Sequence, residues 1–364
     1  MSRTAEAVID VDALRHNLGV ARAAAPGGKI LAIIKADAYG HGLVAVARAL
    51  GGADAFGVAC LDEGVALRQG GIKKDIVLLA GVLDQAALAG ADRHRLSLVV
   101  HSEHQIAALQ AARLSAPLKV WLKVDTGMHR LGFSVAVAAA AWRRLAACSN
   151  VISPPGWMSH FANADLRTDP RTAQQLAVFH AVIADAPGPR SIANSAALLA
   201  WPASHADWQR PGLMLYGVSP FEDSSGGDLG LRAAMCFTSR LVAIKPLPRG
   251  AAVGYGGDWV CPEDTVMGIV AAGYGDGYPR HTPSGTPVYV NGALVPRVGR
   301  VSMDTLCVDL GRNSAARVGD AVELWGRHLP VETIARAAGT IPYELLCKVT
   351  GRVARRYRTR AGDE

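Results

Sequence analysis

The stretch KILAIIKADAYGHG, residues 29–42, decides both the fold and the chemistry that we predict for this chain. After Lys29, an apolar run up to Ile34 predicts a buried parallel strand, and Lys35 follows at once. In an α/β barrel, the carboxyl ends of such strands carry the catalytic groups. A lysine at the rim of an apolar core can have a lowered pKa and condense with an aldehyde. The strand alone is equally compatible with a lysine that extends its amine from the barrel mouth into water.

Short apolar runs alternate with alanine-rich helical stretches along the first two thirds of the chain. The runs cover residues 30–34, 55–59, 76–80, 96–100, 118–124, 156–161, 190–194 and 213–218. Eight such runs predict an α/β fold of the (β/α)8 TIM-like barrel type. A Gly- and Ser-rich break at residues 220–230 predicts a linker, and the short strand-like segments beyond it predict a mainly β C-terminal domain with little helix. We expect a barrel domain at residues 1–225 and a β-rich domain at 226–364.

Composition excludes several classes of protein. Half of the 364 residues are apolar, which argues against disorder. The net charge of +7 comes without a recognised nucleic-acid module, so a basic surface that attracts anionic small molecules is the simpler interpretation. The six cysteines form no C-x-x-C pair, so neither a metal site nor a disulfide framework is expected. The first twelve residues contain acidic side chains and no continuous apolar stretch, which predicts a cytoplasmic protein without a membrane span.

Seven further motifs follow the lysine motif along the chain. They are KVDTGMHR (123–130), SHFA (159–162), NSA (194–196), RPGLMLYG (210–217), VGYG (253–256), AGYGDGYPR (272–280) and GRVSMD (299–304). In wording and order, over nearly the whole chain, these motifs closely resemble those of the alanine racemases, which are pyridoxal 5'-phosphate (PLP) enzymes of fold type III. The proportions are most similar to those of the proteobacterial members.

The resemblance implies that PLP is the cofactor and that Lys35 holds it. Ser195 opens a helical stretch, and its hydroxyl, with the backbone N–H groups of Gly212 and Leu213, would meet the phosphate. The family also places tyrosines on the phosphate, at positions that match Tyr39 and Tyr357. Without the resemblance, a plain helix N-cap is the simpler interpretation of Ser195, and a turn glycine is the simpler interpretation of Gly212.

Arg210 matches the family's arginine beside the pyridine nitrogen of PLP. A guanidinium keeps its proton, so it donates a hydrogen bond and leaves that nitrogen unprotonated. The ring is then a weaker electron sink, which favours racemisation over transamination or decarboxylation. His160 resembles the family's ring-side histidine that contacts this arginine. The alternatives are an arginine that fixes a barrel loop and an ordinary core histidine.

Inverting a stereocentre requires proton transfer on both faces of a planar intermediate, which one base does not reach easily. The resemblance assigns one face to Lys35 and the other to Tyr255 of the partner subunit in a head-to-tail homodimer. Tyrosine is a poor base at neutral pH unless its phenolate is stabilised. Where many relatives have a histidine that touches this tyrosine, the present chain has Ser191. As a residue in Gly-Tyr-Gly, Tyr255 alone is also typical of a turn aromatic.

Substrate binding is likewise implied by the resemblance. Arg130, with the backbone of Met303 from the other subunit, would bind the substrate carboxylate. Lys123 matches a lysine that is carbamylated in many relatives, where the modified side chain braces this arginine. Tyr274 and Asp304 match residues that line the access path, although both are also compatible with structural roles. Asp37 replaces the family's more usual asparagine.

We therefore expect an alanine racemase that interconverts L-alanine and D-alanine, either to supply D-alanine for peptidoglycan or to catabolise it. A racemase of the same fold with broader amino-acid specificity is the enzymatic alternative. A PLP-binding carrier protein without turnover would be a lone barrel. Decarboxylases of related fold usually use a cysteine and an aspartate to recognise the substrate, and we find no motif in this sequence that matches that pair.

Overall fold

The structure is a computed structural model that describes residues 4–359 and 362–363. Its first strand, β1 (Glu6–Asp10), belongs to the second of two large sheets, and helix α1 (Val11–Ala24) leads into the barrel. The Asp10 carboxylate accepts a hydrogen bond from the Ala13 N–H at 2.9 Å and so caps α1. Helix α1 then buries one apolar stripe against the barrel, as its helical spacing requires.

Eight parallel strands form the first sheet, in the order β8-β7-β6-β5-β4-β3-β2-β9. They are β2 (Lys29–Ile33), β3 (Ala55–Val58), β4 (Asp75–Leu78), β5 (Ser97–Val100), β6 (Val120–Lys123), β7 (Gly156–Met158), β8 (Arg190–Ser191) and β9 (Trp208–Gln209). Between the two end strands, the Arg210 N–H donates to the Ala193 carbonyl at 2.9 Å. The predicted TIM-like barrel is confirmed.

The helices that connect these strands follow the alanine-rich stretches of the sequence. They are α2 (Lys35–Tyr39), α3 (Leu43–Ala49), α4 (Leu61–Gln69), α5 (Gln85–Arg93), α6 (Glu103–Ala111), α7 (Val135–Ala146), α8 (Arg171–Ile183) and α9 (Ser195–Ala200). Only α2 departs from right-handed geometry, as described with the site.

The eighth strand was predicted at the wrong place. Residues 213–218 are not a strand, because Leu213–Tyr216 form a short 3-10 helix that ends at Gly217, where φ is +80°. The actual eighth strand, β9, lies a few residues upstream. The apolar run is buried core, and burial alone does not distinguish a strand from a buried helical turn.

The second domain is mainly β, as predicted, and β1 lies within its nine-stranded sheet. Its other strands are β10 (Met235–Leu247), β13 (Thr265–Val270), β14 (Pro287–Val290), β15 (Ala293–Val298), β16 (Leu306–Asp309), β17 (Ala321–Trp325), β18 (Ala354–Thr359) and β19 (Gly362–Asp363), while β11 (Ala252–Val253) and β12 (Trp259–Val260) pair separately. Two short helices, α10 (Val331–Ala337) and α11 (Pro342–Cys347), add more helix than the pattern indicated.

Strand β1 corrects the proposed boundary of the barrel domain. It runs antiparallel to β10, with Ile9 opposite Met235, and parallel to β18, with Ile9 opposite Tyr357. Residues 6–10, which we assigned to a barrel domain at 1–225, therefore lie in the second sheet. A local pattern predicts a strand but does not name its distant partners.

Within the described residues, no helix combines the length and apolar content that crossing a bilayer requires. The same residues contain no group of three or more His, Cys, Asp or Glu side chains placed to hold a metal ion.

Candidate active site

The predicted site residues of the barrel gather at one mouth, formed by the carboxyl ends of the strands. Lys35 lies just after β2, Lys123 ends β6, His160 follows β7, Ser195 follows β8 and Arg210 follows β9. Parallel strands place all of these ends on one side of the barrel, where enzymes of this architecture keep their sites.

The segment directly after Lys35 has an unusual backbone. Ala36, Asp37, Ala38 and Tyr39 have φ values of +54°, +52°, +54° and +51°, so α2 is a left-handed turn. Such a conformation costs roughly 1–2 kcal/mol for each non-glycine residue. Strain of this kind persists only where the surroundings impose it, and it concentrates at functional sites.

Hydrogen bonds inside the motif hold this turn. The Gly40 and Gly42 N–H groups donate to the Ala36 and Asp37 carbonyls at 3.0 and 2.9 Å. His41 is completely buried, and its Nδ1 lies 2.8 Å from the Tyr39 carbonyl oxygen, so that this nitrogen carries the proton and donates it. Glu63 accepts from the Ala36 N–H at 2.6 Å and fixes the start of the turn.

The barrel mouth is strongly cationic. Burial, and then the charge of Arg130, lower the pKa of the Lys35 amine from its usual value. Burial, followed by the charges of Arg210 and Arg130, lowers the pKa of Lys123 to about 8. The mouth therefore attracts phosphate and carboxylate groups, and it brings the lysines closer to the neutral form that a nucleophile needs.

Arg210 is buried and fixed in place by several acceptors. Its guanidinium donates to the Ser191 hydroxyl at 2.7 Å and to the Ser159 carbonyl at 2.5 Å. Burial lowers the pKa of Arg210 to about 10, which still leaves it protonated at neutral pH. The Ser191 hydroxyl in turn donates to the Trp208 carbonyl at 2.8 Å. Ser191 is completely buried. Within the chain its hydroxyl helps to hold the Arg210 guanidinium in place.

His160 accepts a hydrogen bond from the same guanidinium, with its Nδ1 3.2 Å from an Arg210 nitrogen. Because arginine only donates, that nitrogen of the imidazole must be unprotonated. Burial, and then the Arg210 charge, hold the pKa of His160 well below its usual range, so the ring is neutral. The Gln175 amide, which the sequence analysis missed, donates to the His160 carbonyl at 3.2 Å and accepts from the Ala162 N–H at 2.9 Å.

Ser195, Gly212 and Tyr39 form a small cradle. The Ser195 oxygen accepts from the Gly212 N–H at 2.8 Å and from the Met214 N–H at 3.4 Å. A Cβ on Gly212 would lie 2.8 Å from the Tyr39 hydroxyl, so only glycine permits this close approach. Leu213 follows at the start of the 3-10 helix. Asn194 is the residue that caps α9, through a 2.9 Å bond from the Ala197 N–H, and Ser195 is therefore not a plain N-cap.

Arg130 is exposed at the end of a tight loop after β6. One Asp125 carboxylate oxygen accepts from the Gly127, Met128 and His129 N–H groups at 3.0, 3.1 and 3.0 Å. These bonds lower the pKa of Asp125, against the opposing effect of its burial. The carboxylate thus shapes the loop that presents Arg130, a role that a sequence pattern alone did not reveal.

Two tyrosines near the lysine turn have different surroundings. The Tyr357 hydroxyl donates to the His41 carbonyl at 3.0 Å, so it contacts the lysine motif. Tyr343, which the sequence analysis did not single out, packs against Tyr39 with ring centroids 5.7 Å apart. Tyr343 lies on α11 of the second domain. The local sequence around Tyr39 therefore does not reveal this contact.

The remaining predicted residues lie on the second domain. Tyr255 and Met303 are 69% and 51% exposed, and no described contact joins either of them to Lys35. The Tyr274 N–H donates to the Ser302 carbonyl at 3.0 Å, which ties its turn to the Met303 loop. Asp304 forms an ion pair with Arg352 at the same end.

Comparisons with known proteins agree with this architecture. A family model described as the N-terminal domain of alanine racemase matches residues 9–220, and one described as the C-terminal domain matches residues 234–357. An alanine racemase of Nitrosococcus oceani is 54% identical over 96% of this chain and 98% of its own length. A biosynthetic alanine racemase of Escherichia coli is 51% identical over 98% of this chain and 99% of its own.

A solved structure gives the same result for the fold. The crystal structure of the biosynthetic alanine racemase from Pseudomonas aeruginosa covers 98% of this chain and 100% of its own, with a TM-score of 0.95 and 46% identity. Both halves of the chain match, in order and nearly over their full length. The chain belongs to the alanine racemase family.

Proposed function

We propose that this chain interconverts L-alanine and D-alanine with PLP, through Lys35 and Tyr255 as bases on opposite faces of the substrate. The observation that carries the proposal is the barrel mouth itself, where an amine of lowered pKa, a buried arginine and a hydroxyl cradle meet at the carboxyl ends of the strands. These groups suit a cofactor with an aldehyde, a ring nitrogen and a phosphate.

The residues present fit PLP on chemical grounds. The family is PLP-dependent, and each part of the cofactor has a counterpart here. Lys35 would bind the aldehyde, Arg210 the ring nitrogen, and Tyr39, Ser195 and Gly212 the phosphate, with Leu213 beside them. His160 supports Arg210 at the ring, whereas Tyr357 would act on the phosphate side through the His41 loop. When bound, PLP supplies an electron-withdrawing conjugated ring that acidifies the substrate Cα–H bond.

Arg210 favours racemisation over other outcomes. Its guanidinium remains protonated at neutral pH, because even a pKa of about 10 lies well above it. It can therefore donate a hydrogen bond to an aromatic nitrogen but cannot supply that nitrogen with a stable proton. Charge at the substrate carbon is then less dispersed and is reprotonated sooner.

Proton transfer requires a group on each face of the substrate. The Lys35 amine, with its lowered pKa, serves one face. We assign the other face to Tyr255 of the partner subunit, because Tyr255 is exposed on the second domain and has no described contact with Lys35. A head-to-tail homodimer would bring the two together. Met303 of the partner subunit would then offer its backbone to the substrate carboxylate.

Arg130 would bind that carboxylate as a cation on the loop shaped by Asp125. Lys123, Tyr274 and Asp304 would support this end of the site and its access path.

We further propose that the protein is cytoplasmic and that its two domains are residues 1–225 and 226–364, apart from β1. The word biosynthetic in the names of the E. coli and P. aeruginosa relatives favours supply of D-alanine over catabolism.

One experiment tests the proposal directly. Purified protein should form D-alanine from L-alanine, with activity that rises when PLP is added, and parallel assays on serine, lysine and arginine measure its breadth. Reduction with borohydride followed by peptide mapping should mark Lys35. A label on another lysine would reject the assignment, and PLP binding without any racemisation would favour a carrier protein.

A further inference from the structure

The last long strand of the chain reaches back to the lysine turn. Side chains alternate along β18, with Arg355 and Tyr357 half-buried on one face and Ala354, Arg356 and Arg358 exposed on the other. The half-buried face covers the segment that follows Lys35. The second domain therefore contacts the lysine motif of its own chain.

Arg355 binds this turn at two points. Its Nη2 lies 3.3 Å from a carboxylate oxygen of Asp37, and its Nε donates to the Gly40 carbonyl at 2.7 Å. The other Asp37 oxygen accepts from the Leu43 N–H at 2.8 Å. Asp37 thus links the second domain to the start of α3 across the left-handed turn. An asparagine at this position would keep an acceptor for Leu43 but would lose the charge that pairs with Arg355.

Two glycines permit the close contact. At Gly40, where φ is +77°, a Cβ would overlap the Leu346 carbonyl of α11, and at Gly42, where φ is +95°, it would overlap the Tyr357 hydroxyl. That hydroxyl donates to the His41 carbonyl at 3.0 Å. Both glycines therefore serve the contact between the turn and the second domain, in addition to their positive φ.

We propose that Arg355 and Asp37, with Tyr357, form a clamp by which the second domain holds the left-handed turn and so positions Lys35. They act as positioning residues, since none of them needs to touch substrate. Four consecutive non-glycine residues with positive φ require such external support, and the clamp supplies it from a part of the chain more than 300 residues away. The inference rests on the proposed role of Lys35 and accounts for the aspartate that replaces asparagine at position 37.

The test uses the holoenzyme and four variants. Asp37→Asn removes only the charge, Arg355→Met removes the other half of the pair, and the double variant measures their coupling. Arg356→Met is the matched control, because Arg356 lies on the opposite face of the same strand, where it pairs with Glu6. Hydrogen–deuterium exchange at the Gly40, Gly42 and Leu43 amides reports on the turn independently of activity. In the alanine racemases that this chain resembles, the lysine abstracts the Cα proton of D-alanine and the tyrosine abstracts that of L-alanine. The Cα deuterium isotope effects on D-alanine and L-alanine turnover therefore report on Lys35 and Tyr255 separately.

Each clamp variant should accelerate exchange at these amides at least tenfold and raise the isotope effect from D-alanine, the enantiomer assigned to Lys35, more than that from L-alanine. The double variant should be no worse than the worse single one, and Arg356→Met should resemble the wild type. Equal amide exchange rates in Arg355→Met and Arg356→Met would overturn the proposal of a clamp. If Arg355→Met does not fold, Asp37→Asn and Arg355→Lys carry the same comparison. A borohydride label away from Lys35 would instead reject the proposed function while leaving the exchange result valid.

Discussion

Arg210 holds a positive charge where water hardly reaches, and no carboxylate among the described residues pairs with it. Its described partners are the Ser191 hydroxyl, the Ser159 and Ile192 carbonyls and the neutral His160 ring. Such neutral acceptors satisfy the guanidinium without cancelling its charge. A buried charge without a counterion is costly, which suits a site that binds an anionic cofactor and substrate.

Replacing Arg210 by glutamate should change the reaction outcome. A carboxylate beside the ring nitrogen would keep that nitrogen protonated, so that electrons would be withdrawn more strongly and transamination would compete. The ratio of transamination to racemisation should rise by roughly an order of magnitude. Pyruvate and pyridoxamine phosphate released per racemisation turnover give this ratio. Arg210→Lys retains the cation and should keep it low, and an unchanged ratio in Arg210→Glu would mean that Arg210 is not at the ring.

His41 should make stability depend on pH. Burial lowers the pKa of His41 to about 4, against the effect of its backbone hydrogen bonds, whereas an unfolded histidine titrates near 6.5. Between these values the unfolded chain binds a proton that the folded chain does not, so stability falls as the pH decreases from about 6.5 to about 4. The contribution amounts to about 3 kcal/mol. In urea unfolding, His41→Asn, which keeps a donor but does not titrate, should lose less stability over this interval than the wild type. An equally steep decline in both proteins would contradict the assignment.

The sequence pointed to the candidate residues at the barrel mouth more clearly than to the residues that surround them. Lys35, Arg210 and Ser195 belong to motifs of fixed wording, and the structure brings them to one mouth. Gln175 and Tyr343 carried no such signal, since one is a buried amide on a helix and the other packs through the second domain. Ser191 was considered only in relation to Tyr255, yet within the chain it binds Arg210.

At the scale of elements, two glycines allow the cost of steric crowding to be separated from the cost of a strained backbone conformation. One of them, Gly42, follows the left-handed turn after Lys35. Gly42 and Gly71 both have positive φ, at +95° and +83°, but only Gly42 has a neighbour within reach of an added Cβ. Gly71→Ala should therefore cost about 1–2 kcal/mol through backbone strain alone. Gly42→Ala should cost about 1–3 kcal/mol more, because the methyl group displaces the Tyr357 hydroxyl.

Urea unfolding of the two variants measures this difference. Adding Tyr357→Phe to Gly42→Ala removes the displaced oxygen and should restore part of the lost stability. If the two alanine substitutions lowered the free energy of unfolding equally, Tyr357 would not be in close steric contact with Gly42.

An element could be predicted from the sequence when its pairing partners lie close to it along the chain. Strands β2 to β7 repeat with regular helices between them, and the barrel followed from that repetition. The eighth strand was misplaced because a two-residue strand, β9, carries less pattern than the buried 3-10 helix beyond it. Strand β1 was not predicted, and its residues were counted with the barrel domain, since its partners β10 and β18 lie more than 200 residues away.

At the scale of the whole molecule, one chain contains all the proposed groups, but no contact among its described residues joins Tyr255 or Met303 to Lys35. Tyr255 and Met303 are exposed, and the loops that carry them are joined by the Arg300 guanidinium, which donates to Asp258 at 3.0 Å. Hydrogen bonding thus braces this exposed surface. An exposed tyrosine in a fixed loop is what a shared site requires of each subunit.

Mixing two inactive variants tests this architecture. Lys35→Ala removes the lysine base and Tyr255→Phe removes the phenol, so each homodimer should be nearly inactive. If the two chains are unfolded together and refolded in equal amounts, random pairing makes half of the dimers mixed. In a head-to-tail dimer, each mixed pair holds one site with both mutations and one wild-type site. About a quarter of the wild-type activity should therefore return. A site built within one chain would leave a mutation in every site, so an absence of recovery, once mixed dimers are shown by mass, would exclude the shared site.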